Sequence, residues 1–168
     1  MIVVDTSVWI DVLNENATPQ AGRCVELIDG GEPVALTDVI LTEVLQGLRS
    51  DREAQLVERH LRAFPVLRLE GVEDFVLAAE LYRTARYAGV TIRKTLDCLI
   101  AAPCVRTNAP LLHADADFDQ LATCTPLRVW EPEQPRNDET PDRHGRSGMG
   151  DTGLEPVTSA LSRRRSPS

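Results

Sequence analysis

Ile2-Val3-Val4-Asp5-Thr6-Ser7-Val8-Trp9-Ile10 opens the chain with three β-branched residues, a carboxylate, two hydroxyls and a return to apolar side chains. A short β-branched run reads as a buried strand, and an acid followed by small hydroxyls reads as a junction into a helix. The stretch therefore predicts a strand over Ile2–Val4 and a helix over Ser7–Leu13. The same grammar recurs downstream. Val34–Leu36, Val66–Leu69 and Leu111–His113 read as strands, the last two each following a proline. Between them fall helical patterns over Gln20–Asp29, from Thr37-Asp38 to near Gly47, over Glu53–Ala63, over residues 72–88, from a capping Thr95 onward, and from a capping Asp115 to Ala122. Leu127–Trp130 reads as a final edge strand. Strands alternating with helices predict an α/β fold with a parallel sheet. Pro103 lies inside the helix that follows Thr95, where a missing N–H is expected to kink it.

Four carboxylates stand out against this apolar pattern: Asp5, Glu43, Asp97 and Asp115. Asp5 ends the first strand and Asp115 follows the strand at Leu111. Glu43 and Asp97 interrupt Val39-Ile40-Leu41-Thr42-Glu43-Val44-Leu45 and Leu96-Asp97-Cys98-Leu99-Ile100-Ala101-Ala102. Asp5 and Asp115 have a bland explanation as helix caps, and Asp97 as a first-turn acid favoured by the helix dipole. Glu43, in mid-helix among Val39, Ile40 and Val44, is harder to dismiss in that way. Jointly they point to a site, because ligands of an open parallel sheet bind beyond the carboxyl ends of its strands, where the strand order reverses. A buried carboxylate needs a positive partner, and a divalent cation would serve all four at once.

Other candidates carry less. His60, His113 and His144 do not fall at metal-ligand spacing; His60 reads as a solvated helix residue, and His113 as packing or site lining. Asp117 reads as an extra ligand or a surface charge, Asp119 as a surface charge. Arg93 and Lys94, just before the Asp97 helix, are candidates for phosphate contacts, with Arg83 and Arg86 behind them. No P-loop, G-x-S-x-G or G-x-G-x-x-G pattern is present.

Of the 168 residues, 1–130 have a core-forming composition, with 12 basic and 19 acidic side chains. Residues 131–168 hold five of the eleven prolines and no aromatic residue, and are expected to be disordered. Their segment Gly150-Asp151-Thr152-Gly153-Leu154-Glu155-Pro156-Val157-Thr158-Ser159 looks like translation across a neighbouring transfer-RNA gene, so a gene-boundary read-through is the expectation there, checked by intact mass. The acidic balance excludes nucleic-acid binding by bulk charge and leaves bound cations or a local basic patch to do it. Cys24, Cys98, Cys104 and Cys124 form no C-x-x-C pair, which suits reduced thiols in a cytoplasmic protein. No membrane-spanning run or signal sequence is read in the chain.

Asp5-Thr6-Ser7-Val8-Trp9-Ile10-Asp11, Thr42-Glu43-Val44-Leu45-Gln46-Gly47-Leu48, Leu96-Asp97-Cys98-Leu99-Ile100-Ala101-Ala102 and His113-Ala114-Asp115-Ala116-Asp117-Phe118-Asp119 resemble, in order and spacing, the PIN-domain ribonucleases, and most closely the VapC toxins of type II toxin–antitoxin systems. The resemblance covers residues 1–130. It implies a three-layer α/β/α fold around a parallel sheet of four to five strands. It also implies an acidic quartet at Asp5, Glu43, Asp97 and Asp115 with Asp117 as a fifth member, Asp5 and Asp97 holding Mg²⁺ or Mn²⁺, and Ser7 orienting a water. Cys98 departs from the small alanine usual there, and Pro103 from a continuous helix. The implied activity is metal-dependent hydrolysis of RNA phosphodiesters. The implied partners are a VapB-like antitoxin and a second copy of the chain, with DNA binding left to the antitoxin. Two other readings compete. An aspartate-nucleophile phosphatase needs a second Asp two residues after the first, where Ser7 stands, and a non-catalytic interaction module has no use for the full quartet.

Overall fold

The computed structural model describes residues 1–131, of which Met1–Trp130 form one compact unit. The expectation of disorder after residue 130 falls almost entirely outside the described residues.

Four strands, β1 (Ile2–Val4), β2 (Val34–Thr37), β3 (Val66–Leu67) and β4 (Leu111–Leu112), pair in the order β3-β2-β1-β4. Every pairing is parallel, with Ile2 opposite Val34, Val3 opposite Leu111 and Leu36 opposite Val66. All residues of β1, β2 and β4 are buried. Successive strand side chains point to opposite faces, so burial of each one requires cover on both sides of the sheet. Seven helices among the described residues supply it: α1 (Thr6–Leu13), α2 (Pro19–Asp29), α3 (Asp38–Gln46), α4 (Asp51–Leu61), α5 (Gly71–Tyr87), α6 (Thr95–Thr107) and α7 (Ala116–Ala122). Val3, Val4, Trp9, Leu36, Ile40, Ile100, Leu111 and Phe118 form the centre of the core.

Helix starts follow the local chemistry. Thr18, Thr37 and Ser50 each accept a bond from the backbone N–H three residues on, as hydroxyl caps do. α6 departs from expectation. Its cap position is Lys94, which makes no side-chain bond there, and Thr95 is already helical. α6 also runs through Pro103 to Thr107 without ending. Pro103 and its neighbours Ala101, Ala102 and Cys104 are all buried, so packing holds the turn that the missing N–H weakens. Asn108 then closes the helix in the left-handed region at φ 53°, a conformation asparagine tolerates.

The expected strand at Leu127–Trp130 is reduced to one bridge, Leu111 with Val129. Leu111 N–H donates to Arg128 O at 2.9 Å and Trp130 N–H to Leu111 O at 2.8 Å. β4 itself is two residues long and offers no further partner. β3 likewise stops at Leu67 rather than Leu69. Beyond it, Leu69 N–H bonds the Asp38 carboxylate at 3.2 Å and Glu70 N–H the Asp74 carboxylate.

One buried ion pair escaped the sequence pattern. Asp74 on α5 is 1% exposed and accepts from Arg106 Nε on α6 at 3.0 Å. Arg106 also donates to Arg68 O at 2.8 Å and meets Glu70 at 3.1 Å. It thus ties the start of α5 to the end of α6.

Candidate active site

The chain runs outward from β1 to β2 to β3 and then returns past β1 to β4. The strand order therefore reverses between β1 and β4, and the carboxyl ends of these strands flank the crevice where a ligand is expected. Asp5 leaves β1 at this point, and its N–H donates to Leu112 O at 2.9 Å, holding the two strand ends side by side. The Asp5 side chain caps α1: Oδ2 accepts from Ser7 N–H at 3.0 Å and from Ser7 Oγ at 2.6 Å. Ser7 Oγ in turn accepts from Ala114 N–H at 3.2 Å, so one hydroxyl stitches the loop after β1 to the loop after β4. Capping and a place in the crevice coexist in the same carboxylate.

Glu43 is half-buried on the second turn of α3, and its Oε2 accepts from Thr6 Oγ1 at 2.6 Å. Thr6 was not singled out by sequence. The only signal was its position beside Asp5, which makes it a hydroxyl at a strand exit. Asp115 caps α7 through Oδ1, which accepts Asp117 N–H at 3.1 Å. The same Oδ1 accepts Arg93 Nη2 at 3.0 Å. Asp117, 3% exposed, takes Arg93 N–H at 3.0 Å and Arg93 Nε at 3.1 Å. Asp117 is therefore no surface charge, and Arg93 is bound to carboxylates of the site. Burial works to raise the Asp117 pKa, but hydrogen bonds and charge from Arg93 win and hold it below its ordinary value. The Arg93 pKa moves up, first by the bond to Asp117.

Asp97 is the exception. It lies in the first turn of α6, 4% exposed, and its Oδ2 is buried with no hydrogen-bond partner. Burial pushes its pKa up to about 7, opposed by the charge of Lys94 and reinforced by Asp115, Asp117 and Asp5. Those acids are close enough to repel it, which brings four of the five sequence candidates to one crevice. Glu43 is linked to that group through Thr6, the neighbour of Asp5. Among the described residues no three acidic, histidine or cysteine side chains close into a cage. Internal donors explain this: Ser7, Thr6 and Arg93 hold the oxygens that would have to converge.

The remaining candidates resolve simply. His113 is buried against Phe118, ring centroids 5.3 Å apart, with neither ring nitrogen hydrogen-bonded. His60 is half-buried rather than solvated, with a buried Nδ1. His144 lies outside the described residues. Asp119 is 67% exposed, as expected. Arg83 and Arg86 are exposed on α5, near Glu80 and Tyr87. Burial raises the Cys98 thiol to about 11 and Cys24 and Cys104 to about 12, leaving them poor nucleophiles.

The PIN domain family matches residues 2–123. Over 130 residues the chain is 36% identical to Ribonuclease VapC11 of Mycobacterium tuberculosis and to VapC ribonuclease Mb1587 of Mycobacterium bovis, covering 77% of this chain and 97% of each relative. Its fold is similar to VapBC2 of Rickettsia felis, solved bound to a promoter DNA fragment, with TM-score 0.62, 18% identity and coverage of 78% of this chain and 100% of that one. A toxin–antitoxin complex from Klebsiella pneumoniae matches with TM-score 0.58 and 18% identity, over 77% of this chain and 100% of that one. With a family match over most of its length and relatives above a third identical almost end to end, the chain belongs to the PIN-domain family, in its VapC ribonuclease branch.

Proposed function

We propose that this chain is a divalent-metal-dependent endoribonuclease acting in the cytoplasm as the toxin of a VapBC pair. The observation that carries the metal dependence is Asp97: a buried carboxylate oxygen with no partner, beside three further acids at the reversal point of the sheet. Leaving such an oxygen unsatisfied is expensive, and among the described residues no donor hydrogen-bonds it. The donor set is all carboxylate and hydroxyl oxygen, which suits Mg²⁺ or Mn²⁺ and not a soft ion. Asp97 and Asp5 are the residues to anchor the ion, with Glu43 and Asp115 flanking. When bound, such a cation supplies an acidified water and neutralises charge on a phosphodiester.

The chain's own groups do the positioning. Ser7 fixes the rotamer of Asp5 and the spacing between the two loops, and Thr6 fixes Glu43. Lys94 is exposed at the start of α6, where its charge acts on Asp97, which supports reading it as a contact for a backbone phosphate. An RNA strand approaching these acids is repelled until cations fill the crevice, so activity should rise steeply with metal. Ser7 at the second position after Asp5 leaves the phosphatase reading without its second aspartate.

For partners, the likeness to VapBC complexes supports a VapB-like antitoxin. A second copy of the chain would seat on exposed apolar side chains of α5, where Val72, Phe75, Val76 and Tyr82 follow helical spacing. Among the described residues no helix is long and apolar enough to cross a membrane. Purified protein incubated with total cellular RNA should produce fragments in Mg²⁺ and none in excess EDTA. Full cleavage in EDTA would overturn the metal dependence, and intact RNA under all metal conditions would favour a non-catalytic module.

A further inference from the structure

The sequence offers Arg93 as a phosphate contact, and the structure puts it to a different use. Its Nη2 donates to Asp115 Oδ1 at 3.0 Å, its Nε to both Asp117 oxygens at 3.1 Å, and its backbone N–H to Asp117 Oδ2 at 3.0 Å. Asp117 is 3% exposed and meets Arg93 through side chain and backbone alike, whereas Asp115 gives Arg93 one shared oxygen. The Arg93 side chain is 66% exposed, so its bond to Asp115 lies on the solvent side of the bridge. One end of this bridge is an anchor and the other a latch.

We propose that Arg93 is an internal countercation of the metal-free site, anchored on Asp117, whose hold on Asp115 must be released before a divalent cation takes that carboxylate. The inference rests on the metal-site reading above. It assigns Asp117 to Arg93 rather than to the metal, and makes Arg93 a positioning residue that sets how much cation the enzyme needs. The rigid guanidinium fork reaches Asp117 through Nε and Asp115 through Nη2 at the same time, a fixed two-point geometry that the compact ammonium of a lysine does not reproduce. The latch is therefore a property of arginine here, beyond its charge.

The competing possibility is that Arg93 merely braces Asp115 and Asp117 in a geometry the cation needs. The two ideas predict opposite signs. Mn²⁺ binding to the purified full chain is measured by calorimetry and electron spin resonance, without RNA, for wild type, Arg93→Gln, Arg93→Lys, Arg83→Gln and Asp97→Asn. The latch predicts roughly tenfold tighter Mn²⁺ binding in Arg93→Gln, as expected when a unit charge about one ion diameter away is withdrawn from the ligand oxygen. Arg93→Lys, which keeps the charge and loses the span, should also bind several-fold tighter. Arg83→Gln, which removes an exposed charge on α5 paired with Glu80 rather than with an acid of the site, should change affinity by less than about threefold.

The thermal midpoint supplies a second readout. Metal-free Arg93→Gln should melt below wild type, and saturating Mn²⁺ should close that gap. Weaker Mn²⁺ binding in Arg93→Gln, or Arg93→Lys indistinguishable from wild type, would overturn the latch. Absence of Mn²⁺ binding to wild type, or unaltered binding to Asp97→Asn, would instead overturn the metal-site reading and the latch with it.

Discussion

Replacing Asp97 with Asn separates the chemical from the structural role of the one unpartnered acid. Asn keeps the shape and removes the charge. In the folded protein burial pushes the Asp97 pKa up to about 7, from an ordinary carboxylate value of 3.8. Its folded pKa is raised, so the folded state binds the proton more tightly than the unfolded state, and the group lowers stability as pH climbs through that interval. The penalty is absent below about pH 4, grows between about pH 4 and 7, and is constant above. At 1.36 kcal/mol per pKa unit the full shift corresponds to about 4 kcal/mol, and local relaxation around the charged group reduces that to about 2 kcal/mol.

Metal-free Asp97→Asn should therefore be more stable than wild type at pH 8 by about 2 kcal/mol, roughly 6–10 °C for a domain of this size. The difference should vanish towards pH 4. Saturating Mn²⁺ should reverse the order, because a ligand at a hundred times its dissociation constant stabilises wild type by about 2.7 kcal/mol and leaves the variant unmoved. Paired melts across pH with and without Mn²⁺, alongside an RNA cleavage assay, give every quantity needed. A metal-free variant less stable than wild type at pH 8 would refute the account of Asp97 as an uncompensated buried acid. Wild-type cleavage by the variant would refute its role in the chemistry.

Three other expectations follow from the contacts. Thr6→Val removes the 2.6 Å bond to Glu43; cleavage should fall at least several-fold while the melting midpoint moves by no more than about 1 kcal/mol equivalent, and unchanged activity would detach Thr6 from the site. Arg106→Met leaves the buried Asp74 carboxylate with the Glu70 N–H but without its countercharge and should lower stability by about 2 kcal/mol in a urea titration, with activity per folded molecule retained; a shift under about 0.5 kcal/mol would mean the pair is not held as described. A chain ending at Glu131 should keep the far-ultraviolet dichroism, midpoint and activity of the full chain, since we propose residues 1–130 as the PIN domain; loss of cooperative unfolding would count against that boundary.

How much of this was legible in the sequence depended on what each signal measured. Strand and helix order came through because β-branched runs and hydroxyl caps act locally: Ile2–Val4 and Thr37 each carry their own instruction. What failed needed a partner. Leu127–Trp130 has strand composition, yet a strand exists only if its neighbour is long enough to pair with it, and β4 has two residues. Asp74 reads as a first-turn acid on an amphipathic helix, and only the arrival of Arg106 from 32 positions away makes it a buried ion pair. Thr95 was read as the cap of α6 from its hydroxyl alone, whereas Lys94 holds that position and Thr95 is already helical.

The acids of the crevice show the same division more sharply. Sequence marks Asp5, Glu43, Asp97, Asp115 and Asp117 as out of place, because an apolar context is a local property. It does not say which of them the protein has already satisfied. Asp5 is held by Ser7, Glu43 by Thr6, and Asp115 and Asp117 by Arg93. Asp97 alone keeps a buried oxygen without a donor. Had all five been satisfied, the cluster would read as a polar core whose charges stabilise the loops. Had none been, mutual repulsion would drive the loops apart before any cation arrived. Satisfying four and leaving one lets the crevice fold without metal and still hold a residual demand for positive charge. That demand is concentrated at Asp97, which makes it the position where a cation gains most.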